Sequence, residues 1–290
     1  MSSDSISQEI LSWYDNNKTE MPWRDEADPY KVWLSEIMLQ QTQVTTVIDY
    51  YYRWITRFPT ISDVASASVD EILKYWEGLG YYSRARNFHA SCKEIDKKGG
   101  SVPKGMEEFQ SLKGVGPYIA AAVQSISFNE PVSVVDGNVN RVASRFNAYK
   151  IPADKNKKAI KIFMDSILDI DRPGDFNQAV MDLGRYICKP RNPLCTKCPI
   201  HSSCIANLKS DQELYPIKVK SKPIPHYNVA VGIISNGSRL LITKRKEDGL
   251  LGGLWEFPGG KMKTDESPKQ AIKREIKEEL SIQIKTKKII

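Results

Sequence analysis

The stretch CKPRNPLCTKCPIHSSC, residues 188–204, decides the fold. Its cysteines are spaced Cys188-x6-Cys195-x2-Cys198-x5-Cys204 and account for four of the five in the chain. Four thiolates on one short loop suit a tetrahedral zinc ion or an iron–sulfur cluster. Zinc sites usually pair two close Cys knuckles. Here a single close pair is flanked by wider spacings, which favours the larger cluster. The odd cysteine total argues against a secreted disulfide framework, and the crowding points to a reducing, intracellular compartment (cytoplasm or nucleoid in a bacterium). Pro190, Pro193 and Pro199 shape the loop, and Cys92, outside it, reads as a core thiol.

Working outward, the 290 residues are 41% hydrophobic and 27% charged, a globular balance that excludes wholesale disorder. No apolar run approaches the ~20 residues of a membrane span. The N-terminus, MSSDSISQEI, has no secretory pattern. A net charge of +7 suits a polyanionic partner without requiring one. Up to about residue 208 the chain reads as about ten helices and few strands. Apolar spacing in residues 6–11 opens one helix. Asp28-Pro29, an N-cap followed by a first-turn proline, opens another that runs to Gln41. Ser68-x-x-Glu71 reads as a capping box. Residues 209–227, with three prolines, read as an extended linker. Strand-like runs follow at 228–234 and 239–244 about an Asn236-Gly237 turn, and then an amphipathic helix at 267–280. The expected organisation is a helical domain over 1–208, a linker over 209–227 and the start of an α/β domain over 228–290.

Three segments carry chemistry. Leu112-Lys113-Gly114-Val115-Gly116-Pro117-Tyr118 leads into an apolar helix. Gly114 and Gly116 permit a sharp turn, and the helix start then favours a phosphate. Asp136, in Val134-Val135-Asp136-Gly137-Asn138, sits between an apolar run and a helix. By context alone it is an N-cap, and a capping carboxylate at a cleft also faces a substrate. Glu36, in Trp33-Leu34-Ser35-Glu36-Ile37-Met38-Leu39, has apolar neighbours at almost every helical contact position. Desolvation there raises the pKa of a carboxyl, as a general acid needs.

Together these segments resemble the endonuclease III superfamily of DNA base-excision glycosylases. The cysteine spacing matches its cluster loop, the hairpin at about 107–127 its helix–hairpin–helix, and Asp136 the catalytic aspartate of V-D-x-x-V-x-R-V. The resemblance implies a mainly α, two-lobed fold holding one 4Fe–4S cluster on Cys188, Cys195, Cys198 and Cys204, followed by a partial α/β Nudix-like domain. Within the superfamily three features resemble the adenine DNA glycosylases (MutY-type). Tyr118 stands where strand-cleaving relatives carry a lysine nucleophile. Pro22-Trp23-Arg24 and S-E-I-M-L-Q-Q-T match the adenine-pocket signature. Residues 253–260, GLWEFPGG, match the Nudix-like domain that senses 8-oxoguanine.

The resemblance implies hydrolysis of the N-glycosidic bond of adenine mispaired with 8-oxoguanine or guanine in double-stranded DNA. Glu36 and Asp136 are then catalytic, with Tyr118 and Asn138 beside the sugar. Trp23, Arg24, Leu39 and Gln178 surround the extruded adenine, Gln41 wedges into the duplex, and Gly114 and Gly116 hold the backbone. A monomer with no membrane association is expected. The alternatives are a pyrimidine-lesion glycosylase/lyase, a nucleotide diphosphate hydrolase and a non-catalytic DNA-binding module. The second would rest on the near-complete Nudix box from Gly260 to Ile282, in which only a late glycine is replaced, by Ser281. Glu275, Glu278 and Glu279 of that box read more simply as a solvated helix face. The chain ends soon after the box, so the sheet of the partial domain is expected to stay incomplete and loosely ordered, and 8-oxoguanine to be told poorly from guanine.

Overall fold

A computed structural model describes residues 3–219, 225–246 and 252–287. The chain divides into two compact units, Met1–Gly80 with Arg84–Val219, and Tyr81–Ser83 with Lys220–Ile290. The first is helical: α1 (Ser3–Asn17), α2 (Pro29–Leu39), α3 (Val44–Arg57), α4 (Ile61–Ser66), α5 (Val69–Trp76), α6 (Ser83–Lys97), α7 (Met106–Gln110), α8 (Pro117–Phe128), α9 (Gly137–Phe146), α10 (Lys157–Ser166), α11 (Pro173–Asp182) and α12 (Ile205–Leu208). These twelve helices replace the roughly ten expected from periodicity.

Local chemistry explains the boundaries near the site. The Asp28 side chain accepts from the Tyr30 backbone N–H at 2.9 Å and Pro29 occupies the first turn, so α2 starts where the sequence places it. It stops at Leu39, short of the expected Gln41, because Gln40 leaves the helix at ψ 114° and Gln41 then adopts the left-handed φ of +57°. The capping box expected at Ser68 is half made. Ser68 accepts from the Glu71 N–H at 3.1 Å, but the Glu71 carboxylate is engaged by Arg57 at 2.6 Å. A complete box lies nearby at Thr60 and Asp63.

Two cores fill the helical unit. One is aromatic: Trp33, Trp54, Phe58, Trp76, Phe88 and Phe109 are essentially inaccessible and meet mostly edge to face, as ring quadrupoles prefer. Truncating one such ring costs about 3–5 kcal/mol. The other is largely aliphatic and gathers α1, α8, α9, α10 and α11 through residues such as Ile10, Val139, Ile160, Phe176 and Val180. Helix α8 is buried along most of its length and packs against α2, α7 and α11. It thereby connects the two cores.

After α11 the chain tightens into a π-helical turn over Leu183–Ile187 before entering the cysteine loop. A Cβ at Gly184 would lie 2.6 Å from the Asn138 Cβ and 3.1 Å from its Cα, so only glycine lets this turn pass the start of α9. The helical unit continues beyond residue 208. Arg145 donates to the carbonyls of Gln212 and Tyr215, and Tyr215 is buried. This part of the stretch read as an extended linker is therefore tethered, and residues 220–224 lie outside the described residues.

The described residues of the second unit form short antiparallel pairs and one helix. β1 (Val229–Val231) is hydrogen-bonded to the strand Gly259–Lys261, Ser235–Asn236 to Arg239–Leu240 across Gly237, and Thr243–Lys244 to Trp255–Glu256. The strand-like runs of the sequence are thus interrupted. Gly232 still donates to the Pro258 carbonyl in register with β1, but Pro258 has no N–H to return the bond and the pairing ends there. Helix α13 (Pro268–Leu280), capped by Ser267 and Gln270, buries Ala271, Ile272 and Ile276 and packs on β1 and its partner strand.

Candidate active site

A cleft of about 230 Å³ in the helical unit is walled by Trp23, Arg24, Glu36, Leu39, Tyr118, Asp136, Asn138 and Gln178. All were singled out from sequence, and they arrive from five separated segments. Met21, Thr42, Val44, Met181, Asp182 and Arg185 complete the wall.

Glu36 lies on α2 in the contact with α8 and is only 6% exposed. Tyr118, in the first turn of α8, donates its hydroxyl to Glu36 Oε2 at 2.5 Å. Burial raises the Glu36 carboxyl to about 7, and the charge of Asp136 adds to the rise. The Tyr118 hydroxyl and the Arg24 charge oppose it. Burial likewise holds the Tyr118 hydroxyl well above its ordinary range, so it remains a donor. Asp136 is held differently. It caps α9, accepting from the Val139 N–H at 2.7 Å with Oδ1 and from the Asn138 side chain at 2.9 Å with Oδ2. Burial raises this carboxyl too, but both oxygens are engaged by donors that favour the ionised form. The cleft therefore combines an acid that keeps its proton up to about pH 7 with a second carboxyl whose two oxygens are fixed in direction by donors.

Arg24 pairs with Asp182 in a nearly inaccessible fork, at 2.6 and 3.2 Å, with its guanidinium over the Tyr14 ring. Sequence reading missed Asp182, although its position four residues after Gln178 puts both on one face of α11. It also missed the contacts of Arg141. This side chain donates to Asn138 Oδ1 at 2.9 Å, to the Gly184 carbonyl at 2.7 Å and to the Cys188 carbonyl at 2.7 Å. It ties the residues around Asp136 to the entrance of the cysteine loop.

Gln41 lies outside the cleft wall and is exposed at its left-handed turn between α2 and α3. Gly114 has φ +83°, and a Cβ there would meet the Asn87 Cβ at 2.8 Å. Gly116 is the N-cap of α8 and provides no side-chain cap, so the N–H groups of the first turn remain for an external acceptor.

Cys188, Cys195, Cys198 and Cys204 line a second, apolar cavity with Arg145, Phe146, Leu183, Ile187 and Ile200. Arg145, 2% exposed, donates to Cys188 Sγ at 3.3 Å and to the carbonyls of Lys189 and Pro190. Burial raises the thiols of Cys195 and Cys204 and pushes Cys198 up to about 12. Thiolates in such a setting need a compensating metal charge. The donors are all sulfur, which suits iron–sulfur ligation. Among the described residues no three ligating side chains are grouped to hold a single metal ion. This applies equally to Glu275, Glu278 and Glu279. There Arg274 pairs with Glu266, Glu275 and Glu278 at 2.8, 2.7 and 3.2 Å.

Residues 34–167 match the family described as HhH-GPD superfamily base excision DNA repair protein, and residues 229–289 match the NUDIX domain family. The adenine DNA glycosylase of Homo sapiens is 38% identical, aligned over 86% of this chain and 56% of that protein. This chain thus spans little more than half the length of the human relative. The adenine DNA glycosylase of Buchnera aphidicola is 38% identical over 87% of this chain and 72% of that protein. Among solved structures, a thermostable thymine-DNA glycosylase superposes with a TM-score of 0.66 at 27% identity, covering 71% of this chain and 97% of that one.

The raised Glu36 pKa has a measurable cost. The native state holds this proton more tightly than the unfolded chain, so ionisation destabilises the fold as pH rises from about 4.5 to about 7. The loss reaches about 3 kcal/mol. Denaturant unfolding of Glu36→Gln and of the unsubstituted protein should give a stability difference that is constant on the acid side of this window. Through the window it should shift by about this amount in favour of the variant. A pH-independent difference would contradict the placement of Glu36.

Proposed function

The chain belongs to the adenine DNA glycosylase family, and on that premise we propose that it hydrolyses the N-glycosidic bond of adenine mispaired with 8-oxoguanine or guanine in double-stranded DNA. The observation that carries the reading is the buried, Tyr118-bonded Glu36 sharing one cleft with Asp136. Adenine extruded from the stack enters between Trp23, Leu39 and Gln178. Glu36 gives its proton to a ring nitrogen, which makes the base a neutral leaving group. The C–N bond breaks with its electrons on adenine, and positive charge develops on the sugar. Asp136, aimed by Asn138, stabilises that charge. Water then adds to the sugar carbon and loses a proton, leaving an abasic site. Tyr118 provides no amine, so no Schiff base forms and the strand is not cut by that route. Gly114 and Gly116 of the hairpin, with Lys189, Arg191 and Lys197 of the cysteine loop, meet the phosphates. The protein acts as a monomer in a reducing, intracellular compartment.

Cys188, Cys195, Cys198 and Cys204 would hold one 4Fe–4S cluster, which crosslinks the loop and takes no part in bond cleavage. Arg145 and Arg141 hold the loop's backbone against α9.

Two outcomes follow. Glu36→Gln keeps the shape of the side chain without a proton to transfer. It should bind the mispaired duplex near normally and release adenine at least about a hundredfold more slowly in single turnover. Near-normal release would remove Glu36 from the mechanism. Anaerobically purified protein should contain iron and acid-labile sulfide in equal amounts, and Cys92→Ser should retain both. Stoichiometric zinc without iron would overturn the cluster assignment.

A further inference from the structure

The turn that carries Gln41 is gripped from outside by the Arg84 side chain. Arg84, in α6, directs Nη1 to the carbonyls of Ile37, Met38 and Gln40 at 2.9, 3.0 and 2.5 Å. Its Nη2 reaches the carbonyls of Leu79 and Gly80 at 3.1 and 3.3 Å and Thr42 Oγ1 at 3.4 Å. The guanidinium also lies 5.2 Å from the centre of the Trp76 ring, whose Nε1 donates to the same Gly80 carbonyl. The carbonyls of Ile37 and Met38 lie in the last turn of α2 and Gln40 caps it, so they form the negative pole of the helix, and of the three Ile37 also accepts from the Gln40 N–H at 3.4 Å. A planar cation with several donors matches them in both charge and shape.

The clamp encloses a strained conformation. Gln41 holds φ +57°, which non-glycine residues seldom adopt and which persists where the surroundings over-determine it. Leu39 and Thr42 on either side form part of the cleft wall. One guanidinium thus sets the exposed tip of the turn and the adjacent wall together, without lining the cleft itself.

We propose that Arg84 is a positioning residue for base extrusion: it presents Gln41 to the duplex while leaving the acid–base groups untouched. This rests on the adenine glycosylase reading and makes a narrower claim. Arg84 should matter when adenine must be levered out of a stacked pair and matter little when adenine is already unpaired. An arginine that only maintains the fold would affect both cases alike.

The test uses the full chain and single-turnover adenine release from two duplexes. In one, adenine lies opposite 8-oxoguanine; in the other the same adenine sits in a one-base bulge. The two rates are compared within each variant, which cancels any difference in the folded fraction. Arg84→Met should lose about tenfold or more on the paired substrate, the scale of charged hydrogen bonds removed, and less than about threefold on the bulge. Arg84→Lys, which keeps the charge and loses the fork, should follow Arg84→Met. Gln41→Ala should give the same selective loss and add little to it in the double variant, as residues acting through one element do. Equal losses on the two substrates, or no loss on the paired one, would overturn the proposal. If the unsubstituted chain releases adenine from neither duplex, the glycosylase reading itself fails, and this inference falls with it.

Discussion

The contact between the Tyr118 hydroxyl and the Glu36 carboxyl is the constraint on which the site depends. It joins the first turn of α8 to the buried face of α2, where water has little access to the Glu36 carboxyl. A carboxylate at that position is costly to bury, so the acid holds its proton up to about pH 7. The surrounding fold serves this arrangement. The aromatic core fixes α2 through Trp33, and the aliphatic core fixes α8 and α9. Asp136 differs in that its capping position engages both of its oxygens with donors. Two acids in one cleft are thereby given different environments by their partners.

Arginines connect this site to the rest of the unit, each by grasping main-chain carbonyls. Arg141 joins Asn138 to the start of the cysteine loop, Arg145 holds that loop to α9, and Arg84 closes the end of α2. A buried guanidinium satisfies several orphan acceptors at once, where separate neutral donors would each need ordering. Irregular backbone at Gln41 and across the π-helical turn at Leu183–Ile187 is stabilised in this way. Both irregular segments border the cleft, where strain and function often coincide.

What was legible in the sequence was local. The Asp28-Pro29 start of α2, the helix capped by Ser267 and the hairpin ahead of Tyr118 depend on neighbours within a few residues. The motif residues of the cleft were legible through their resemblance to a family, since nothing in their spacing brings Trp23, Glu36, Asp136 and Gln178 together. Arg84, Arg145 and Asp182 were not legible, nor were the contacts of Arg141, the arginine of the V-D-x-x-V-x-R-V motif. Arg84 and Arg141 reach carbonyls more than forty residues away, and a carbonyl carries no sequence signature. The half-made capping box at Ser68 has the same cause, because Glu71 is diverted by Arg57 from a different helix.

The account stands on Glu36 carrying a proton while Asp136 does not. Difference infrared spectroscopy reads this directly, since a protonated buried carboxyl has a C=O stretch separate from carboxylate bands. Spectra of the protein, Glu36→Gln and Asp136→Asn, recorded on the acid side of the Glu36 midpoint of about 7, assign the band. The account predicts a protonated-carboxyl band that is lost in Glu36→Gln, kept in Asp136→Asn and titrated away near that midpoint. A band that survives Glu36→Gln and vanishes in Asp136→Asn would contradict it, as would a Glu36 band already gone near 4.5, the ordinary glutamate value.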